Sequence, residues 1–177
     1  MLKFVVNDRD DIALTRILSE VVKGVGEKTI QAFLDWPLKV GYEGHMIKCR
    51  ALVDSSKGKT EDKLKGVEDI PLTTRQKALL LPFAQVMINC YKQTQTADTE
   101  DASVADLLGT LATSFLTPAY FQRISKNIDD IEERRNNINE LLLVADNFDK
   151  KRDKMLQATA SIQQDLQSYD PILGNMV

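Results

Sequence analysis

From Asp10 onward, apolar residues fall at Leu14, Ile17, Leu18 and Val21. This i, i+3, i+4, i+7 spacing lines one face of a helix, and Asp10 and Asp11 complement the positive end of its first turn. The pattern stops at Gly24 and resumes after Gly26, with Ile30, Phe33 and Leu34 on one face. Pro37 ends the second run, because a residue that precedes proline, here Trp36, is pushed out of the helical region. Two short helices around a glycine turn are therefore predicted. Residues 38–72 carry Gly41, Gly44, Gly58, Gly66 and Pro71, scattered lysines and no sustained period. They read as an irregular insertion or long loop.

A longer helix is predicted from Thr73 or Thr74, with Leu79, Leu80, Phe83, Val86, Met87 and Cys90 inward and Pro82 either kinking it or marking its start. The polar run Gln93 to Asp101 reads as a linker. Val104, Leu107, Leu108, Leu111 and Phe115 define the next helix. Thr117 and Pro118 then fit the N-cap and first-turn proline of a short helix bearing Tyr120, Phe121 and Ile124. Ile128, Ile131, Ile138, Leu141, Leu142 and Ala145 predict a long helix. From Lys150 to Ser168 only Met155, Ala158, Ile162 and Leu166 form a stripe, so residues 150–177 read as a loosely attached helix that ends before Pro171. With no alternating strand pattern and no internal repeat, the expected fold is all-α. It is one compact multi-helix domain over residues 1–177, with a helix-hairpin-helix-like glycine turn near the N-terminus and an irregular insertion.

Composition narrows the function. A chain of 177 residues with 43% apolar content can build a core. Its net charge of −3 and pI near 5.3 do not fit a protein that coats nucleic acid through bulk charge, so any DNA contact must be local. Cys49 and Cys90 lie far apart, and His45 is the only histidine. Two buried free thiols are expected, with no metal site. The N-terminal residues become acidic too early for a secretory signal, and no run reaches the ~20 apolar residues of a membrane span. An intracellular chain without a membrane partner is expected.

Several short motifs bear on chemistry. Val22-Lys23-Gly24-Val25-Gly26-Glu27-Lys28-Thr29 has the form of a helix-hairpin-helix turn. In such a turn, glycines let the backbone approach a phosphate while N–H groups at the next helix start point outward. Lys23 and Lys28 add positive charge and Thr29 a hydroxyl donor, and contacts of this kind position a protein without reading sequence. A plain tight turn is the competing reading. Gly24 to Thr29 is too short for a phosphate-binding P-loop and follows a helix, while Gly58-Lys59-Thr60 has Val53 where the leading glycine belongs. Asp129, Asp130, Glu132 and Glu133, next to Arg134 and Arg135, read as a solvated helix face with local ion pairs. Hydrolase signatures are absent and no catalytic residue is assigned. Tyr120 is a candidate platform for stacking an unpaired base, whereas Phe121 reads as core.

Two stretches together resemble one family. Asn7-x-x-Asp10-Asp11-x-Ala13-Leu14-x-Arg16-Ile17-Leu18, running on through Lys23-Gly24-Val25-Gly26 to Lys28-Thr29, is similar to one block of the 2B subdomain of UvrD/Rep/PcrA-type superfamily 1 DNA helicases. Arg134-x-x-Asn137-Ile138-x-Glu140-Leu141 is similar to a helix late in that subdomain, and the order of the two blocks also matches. Where the family carries a proline ahead of the turn, this chain carries Val21. The resemblance implies a non-catalytic duplex-DNA-binding and regulatory piece of a larger motor. The motor's ATP and Mg²⁺ would bind in other domains, so this piece has no cofactor of its own. Its implied partners are duplex DNA or a fork junction, contacted without sequence preference, and the remaining helicase domains. Lys23, Gly24, Val25, Gly26, Lys28 and Thr29 become the implied duplex-phosphate contacts; Arg134, Asn137 and Glu140 become structural. Thr117 to Phe121 is most similar to fungal mitochondrial members, which implies a mitochondrial or nuclear location for a eukaryotic chain and a cytoplasmic one for a bacterial chain. A helical protein–protein interaction module without DNA binding is the alternative reading.

Overall fold

The computed structural model describes residues 1–58, 66–67, 69–95 and 103–173, with side chains up to residue 166 in the last helix. The described residues are all-helical, in eight α-helices: α1 (Leu2–Val6), α2 (Asp11–Glu20), α3 (Glu27–Leu34), α4 (Met46–Ser56), α5 (Thr74–Gln95), α6 (Val104–Phe115), α7 (Pro118–Ile124) and α8 (Ile128–Leu173). The only extended pairing among them is an isolated antiparallel bridge between Leu38 and Val67.

Local signals set the helix starts. The Asp10 carboxylate accepts from the Ala13 N–H at 2.8 Å and caps α2. Thr73 and Gln76 form a reciprocal capping box ahead of α5, with Gln76 N–H on the Thr73 hydroxyl and Thr73 N–H on the Gln76 amide oxygen. The Thr117 hydroxyl accepts from Tyr120 N–H with Pro118 in the first turn of α7, as its sequence predicts. Phe4, Leu14, Leu18, Phe33, Trp36, Leu80, Phe83 and Met87 form the centre of the core. Trp36 packs edge-on to Phe33, with ring centroids 6.1 Å apart.

Three expectations need correction. Residues 38–72 are not merely an irregular insertion: their middle is α4, which lies along α5 and buries Met46, Cys49, Ala51 and Leu52. Asp8 holds its start, accepting Met46 N–H on its side chain and His45 N–H on its backbone carbonyl. The buried Lys48 ammonium donates to the Phe33 and Leu34 carbonyls, at 3.1 and 2.6 Å, and so satisfies the open end of α3. Second, α5 runs through Pro82 without beginning there, held by the buried side chains on either side of the proline. Third, the two helices expected over 128–145 and 150–168 are one, and it continues through Pro171 to Leu173. No glycine or proline lies between Ile128 and Asp170, and an Asp146–Lys150 pair at 2.6 Å spans the expected break. At ~1.5 Å per residue, α8 is about 69 Å long. Residues 59 and 60 of the Gly58-Lys59-Thr60 motif, 96–101 of the expected linker and 174–177 lie outside the described residues.

Candidate nucleic-acid interface

The turn between α2 and α3 uses its two glycines differently. Gly24 has φ +83°, a left-handed conformation that strains any residue with a Cβ, and an added Cβ would stand 3.5 Å from Leu79. Gly26 is extended, at φ −93° and ψ 168°, and an added Cβ would meet nothing within 4 Å. Gly26 occupies the N-cap of α3. Its carbonyl accepts from the Thr29 and Ile30 N–H groups, but it has no side chain to cap the N–H groups of Glu27 and Lys28. Those first-turn donors are where a helix carries its positive partial charge.

The other predicted contacts divide into two groups. Lys23 and Lys28 are exposed on either side of the turn, and no carboxylate pairs with either among the described residues. Val25 and Thr29 face inward, at 9% and 8% exposure. Val25 belongs to the core cluster. The Thr29 hydroxyl accepts from the Gln76 side-chain amide at 3.0 Å, which ties α3 to the capping box of α5. Thr29 therefore braces the turn rather than presenting its hydroxyl at the rim. Glu27 is exposed in the first turn of α3, where its charge complements the helix end and opposes an incoming anion.

Tyr120, placed on α7 by its sequence, lines the same groove as Lys23. That groove, about 520 Å³, also includes Ser114, Thr117, Gln122 and Arg123. Arg123 stands outside the sequence-predicted contacts, yet it organises the groove. Its guanidinium donates to the Glu20 carbonyl in the last turn of α2 and lies 5.5 Å from the Tyr120 ring centroid. The available signal is the i, i+3 spacing from Tyr120, which puts both residues on one face of α7. Tyr120 meets the buried Phe121 edge-on at 5.8 Å, and Arg135 of α8 lies over Phe121 at 5.7 Å.

The second family-like block lies on α8. Arg134 pairs with Asp130 at 2.7 Å, while Asn137 and Glu140 are exposed. The acidic run there serves the helix start. Asp130 accepts from the Lys126 N–H and from the Arg134 side chain, and these bonds hold its carboxyl below the ordinary range. Both cysteines are free and buried, and burial pushes their thiols up. His45 Nε2 lies 2.6 Å from the Asp11 carboxylate, joining α2 to the start of α4. Among the described residues, no group of three or more His, Cys, Asp or Glu side chains is placed to hold a metal ion, and no helix is long and apolar enough to cross a membrane. Comparison with family models, with curated proteins and with solved structures finds no match to this chain.

Proposed function

We propose that this chain is a non-catalytic subdomain of a superfamily 1 DNA helicase, which holds duplex DNA through the α2–α3 turn and regulates an ATP-driven motor in other domains. One observation carries the reading: uncapped N–H groups at Glu27 and Lys28 open onto the unobstructed Gly26, with Lys23 and Lys28 exposed on either side. A phosphate suits such a place because backbone N–H donors and the helix dipole both favour negative charge. The resemblance of residues 7–29 and 134–141 to the helicase subdomain supplies the biological setting. No residue in this reading contacts a base edge, so binding is indifferent to sequence.

The test is duplex binding as a function of salt. Two or three phosphate contacts give a log–log slope of about −2 to −3. Lys23→Glu with Lys28→Glu should remove binding. Undiminished affinity in that double variant removes the turn from the mechanism, and ATP turnover by this chain alone contradicts the assignment of the motor to other domains.

A specific observation favours the protein-interaction reading as second. Leu141, Phe148, Met155 and Ile162 recur every seventh residue along α8 and are 50, 55, 72 and 60% exposed. A helical partner that lays its own apolar stripe along this row would bury it. Phe148→Glu with Ile162→Glu separates the two readings, since it should abolish such docking and leave duplex binding at the far turn intact.

A further inference from the structure

We infer that the groove between the α2–α3 turn and α7 receives an unpaired nucleotide adjoining the duplex, its base on Tyr120 and its phosphate toward Lys23. This rests on the duplex reading and extends it from a duplex contact to recognition of the junction between paired and unpaired DNA.

The groove's chemistry is unusual for this molecule. The chain carries a net charge of −3, yet Lys23 and Arg123 line this groove with no carboxylate beside them. Glu20, the acidic residue nearest in sequence to Lys23 on α2, has its carboxylate on Arg16 at 3.2 Å and offers Arg123 only its backbone carbonyl. Other grooves differ: the adjoining one shares Tyr120 and holds Lys3 and Arg16, but Asp10 and Glu20 stand among its walls. The one between α6 and the middle of α8 is lined by Asp106, Asp146, Asp149 and Asp153. The one among α1, α6 and α8 is lined by Leu108, Leu116, Ile138 and Leu142. An anionic ligand with an aromatic ring meets four carboxylates against Lys150 and Arg152 in the acidic groove, and in the apolar one it finds Lys3 but no aromatic ring. Between α2 and α7 it meets cations, an aromatic ring, and the Ser114, Thr117 and Gln122 side chains.

Position strengthens the case. Lys23 belongs both to the turn that meets the duplex phosphate and to the groove wall, so a strand leaving the duplex there passes directly onto α7. Arg123 fixes the Tyr120 ring from one side and Phe121 supports it edge-on, so the platform is set before a base arrives. Stacking on an aromatic ring accepts every base, in keeping with the phosphate contacts at the turn.

The experiment uses the whole chain and two fluorescent DNA probes, a blunt duplex and the same duplex with a two-nucleotide unpaired extension of either polarity. The first unpaired position carries 2-aminopurine. Wild type should bind an extended probe about tenfold more tightly than the blunt one, with the 2-aminopurine emission quenched. Tyr120→Ala should remove that gain and the quenching while keeping affinity for the blunt duplex, and Tyr120→Phe should keep both. Equal affinity for blunt and extended probes, without quenching, overturns the inference and leaves the duplex reading standing. Equal loss on both probes in Tyr120→Ala, in a variant whose melting temperature is unchanged, also overturns it, since Tyr120 would then only support the turn. Absence of any binding to either probe by wild type overturns the duplex reading and this one with it.

Discussion

The body built from α1 to α5 and the long α8 are both helical, but they are ordered by different forces. The body buries Phe4, Phe33, Trp36 and Phe83 almost completely, and each of its helices sends side chains into one core. Along its 46 residues, α8 buries only Ala145 and Asp149 among the described side chains. Its continuity comes instead from good helix formers and i, i+4 pairs such as Asp130–Arg134 and Asp146–Lys150. Packing decides the first region and local propensity the second. The largest predicted effect follows directly. Trp36→Ala or Phe83→Ala should cost about 3–5 kcal/mol in urea unfolding, enough to unfold a typical domain of this size. Ile162→Ala in the outer part of α8 should stay within about 0.5 kcal/mol. Comparable losses at both places would show that α8 shares the body's core in solution.

The two regions are joined through α6, and Asp149 is the polar centre of that joint. From α8 its carboxylate accepts from the Ser103 hydroxyl at 2.9 Å, from Val104 N–H at 3.1 Å and from Ala105 N–H at 2.9 Å. It thus caps the neighbouring helix, alongside that helix's own cap, Ser103. Burial by itself would raise the Asp149 pKa. The bonds from Ala105, Val104 and Ser103, with Arg152 nearby, outweigh burial and leave the carboxyl below its ordinary value of 3.8. A group depressed in the folded state stabilises fully above its unfolded pKa and loses that contribution as pH falls through its folded value. The α6–α8 joint should therefore hold from neutral pH down to the ordinary aspartate range and loosen below it. Asp149→Ala should cost about 1–2 kcal/mol, because it leaves part-buried donors unpaired. Amide exchange should rise first in α6, at Val104 and Ala105, while α4 and α5 keep their protection. Loss of protection throughout the body would show that the joint and the core unfold as one unit.

How much of this was legible in the sequence follows the same division. Helices with a single clean stripe and a recognisable start or stop signal, α2, α3, α6 and α7, are readable because local signals and burial agree. The stretch holding α4 was not readable as a helix. Its ends are glycine-rich, and its buried face includes Lys48 and His45, polar residues whose partners, Asp11 and the Phe33 and Leu34 carbonyls, are distant in sequence. α1 was missed because five residues are too few to show a period. The stretch between Ala145 and Lys150 reads as a gap between two helices because Asp149, which anchors it, finds its partners on α6 more than forty residues earlier. For the candidate interface, spacing marked the turn itself. It did not show that Thr29 turns inward to Gln76 or that Arg123 arrives from α7, since both depend on how separate helices come together.

The most local effects come from the two glycines of the turn, and they separate backbone strain from ligand approach. Gly24→Ala forces a Cβ into the left-handed region and should cost about 1–2 kcal/mol, read as a fall in the denaturation midpoint. Gly26→Ala meets neither strain nor a neighbour, since the backbone there is extended and nothing stands within 4 Å of the new methyl group. Alanine is a poorer N-cap than glycine, so stability should fall by no more than about 1 kcal/mol. If a phosphate sits on the Glu27 and Lys28 N–H groups, that methyl occupies the space through which the phosphate approaches. Duplex affinity should then fall about tenfold with the backbone of the turn undistorted, a separation that Gly24→Ala cannot provide. Should Gly26→Ala bind duplex as wild type does, the open face of Gly26 plays no part in contact, and the lysines alone would have to account for any DNA binding by this turn.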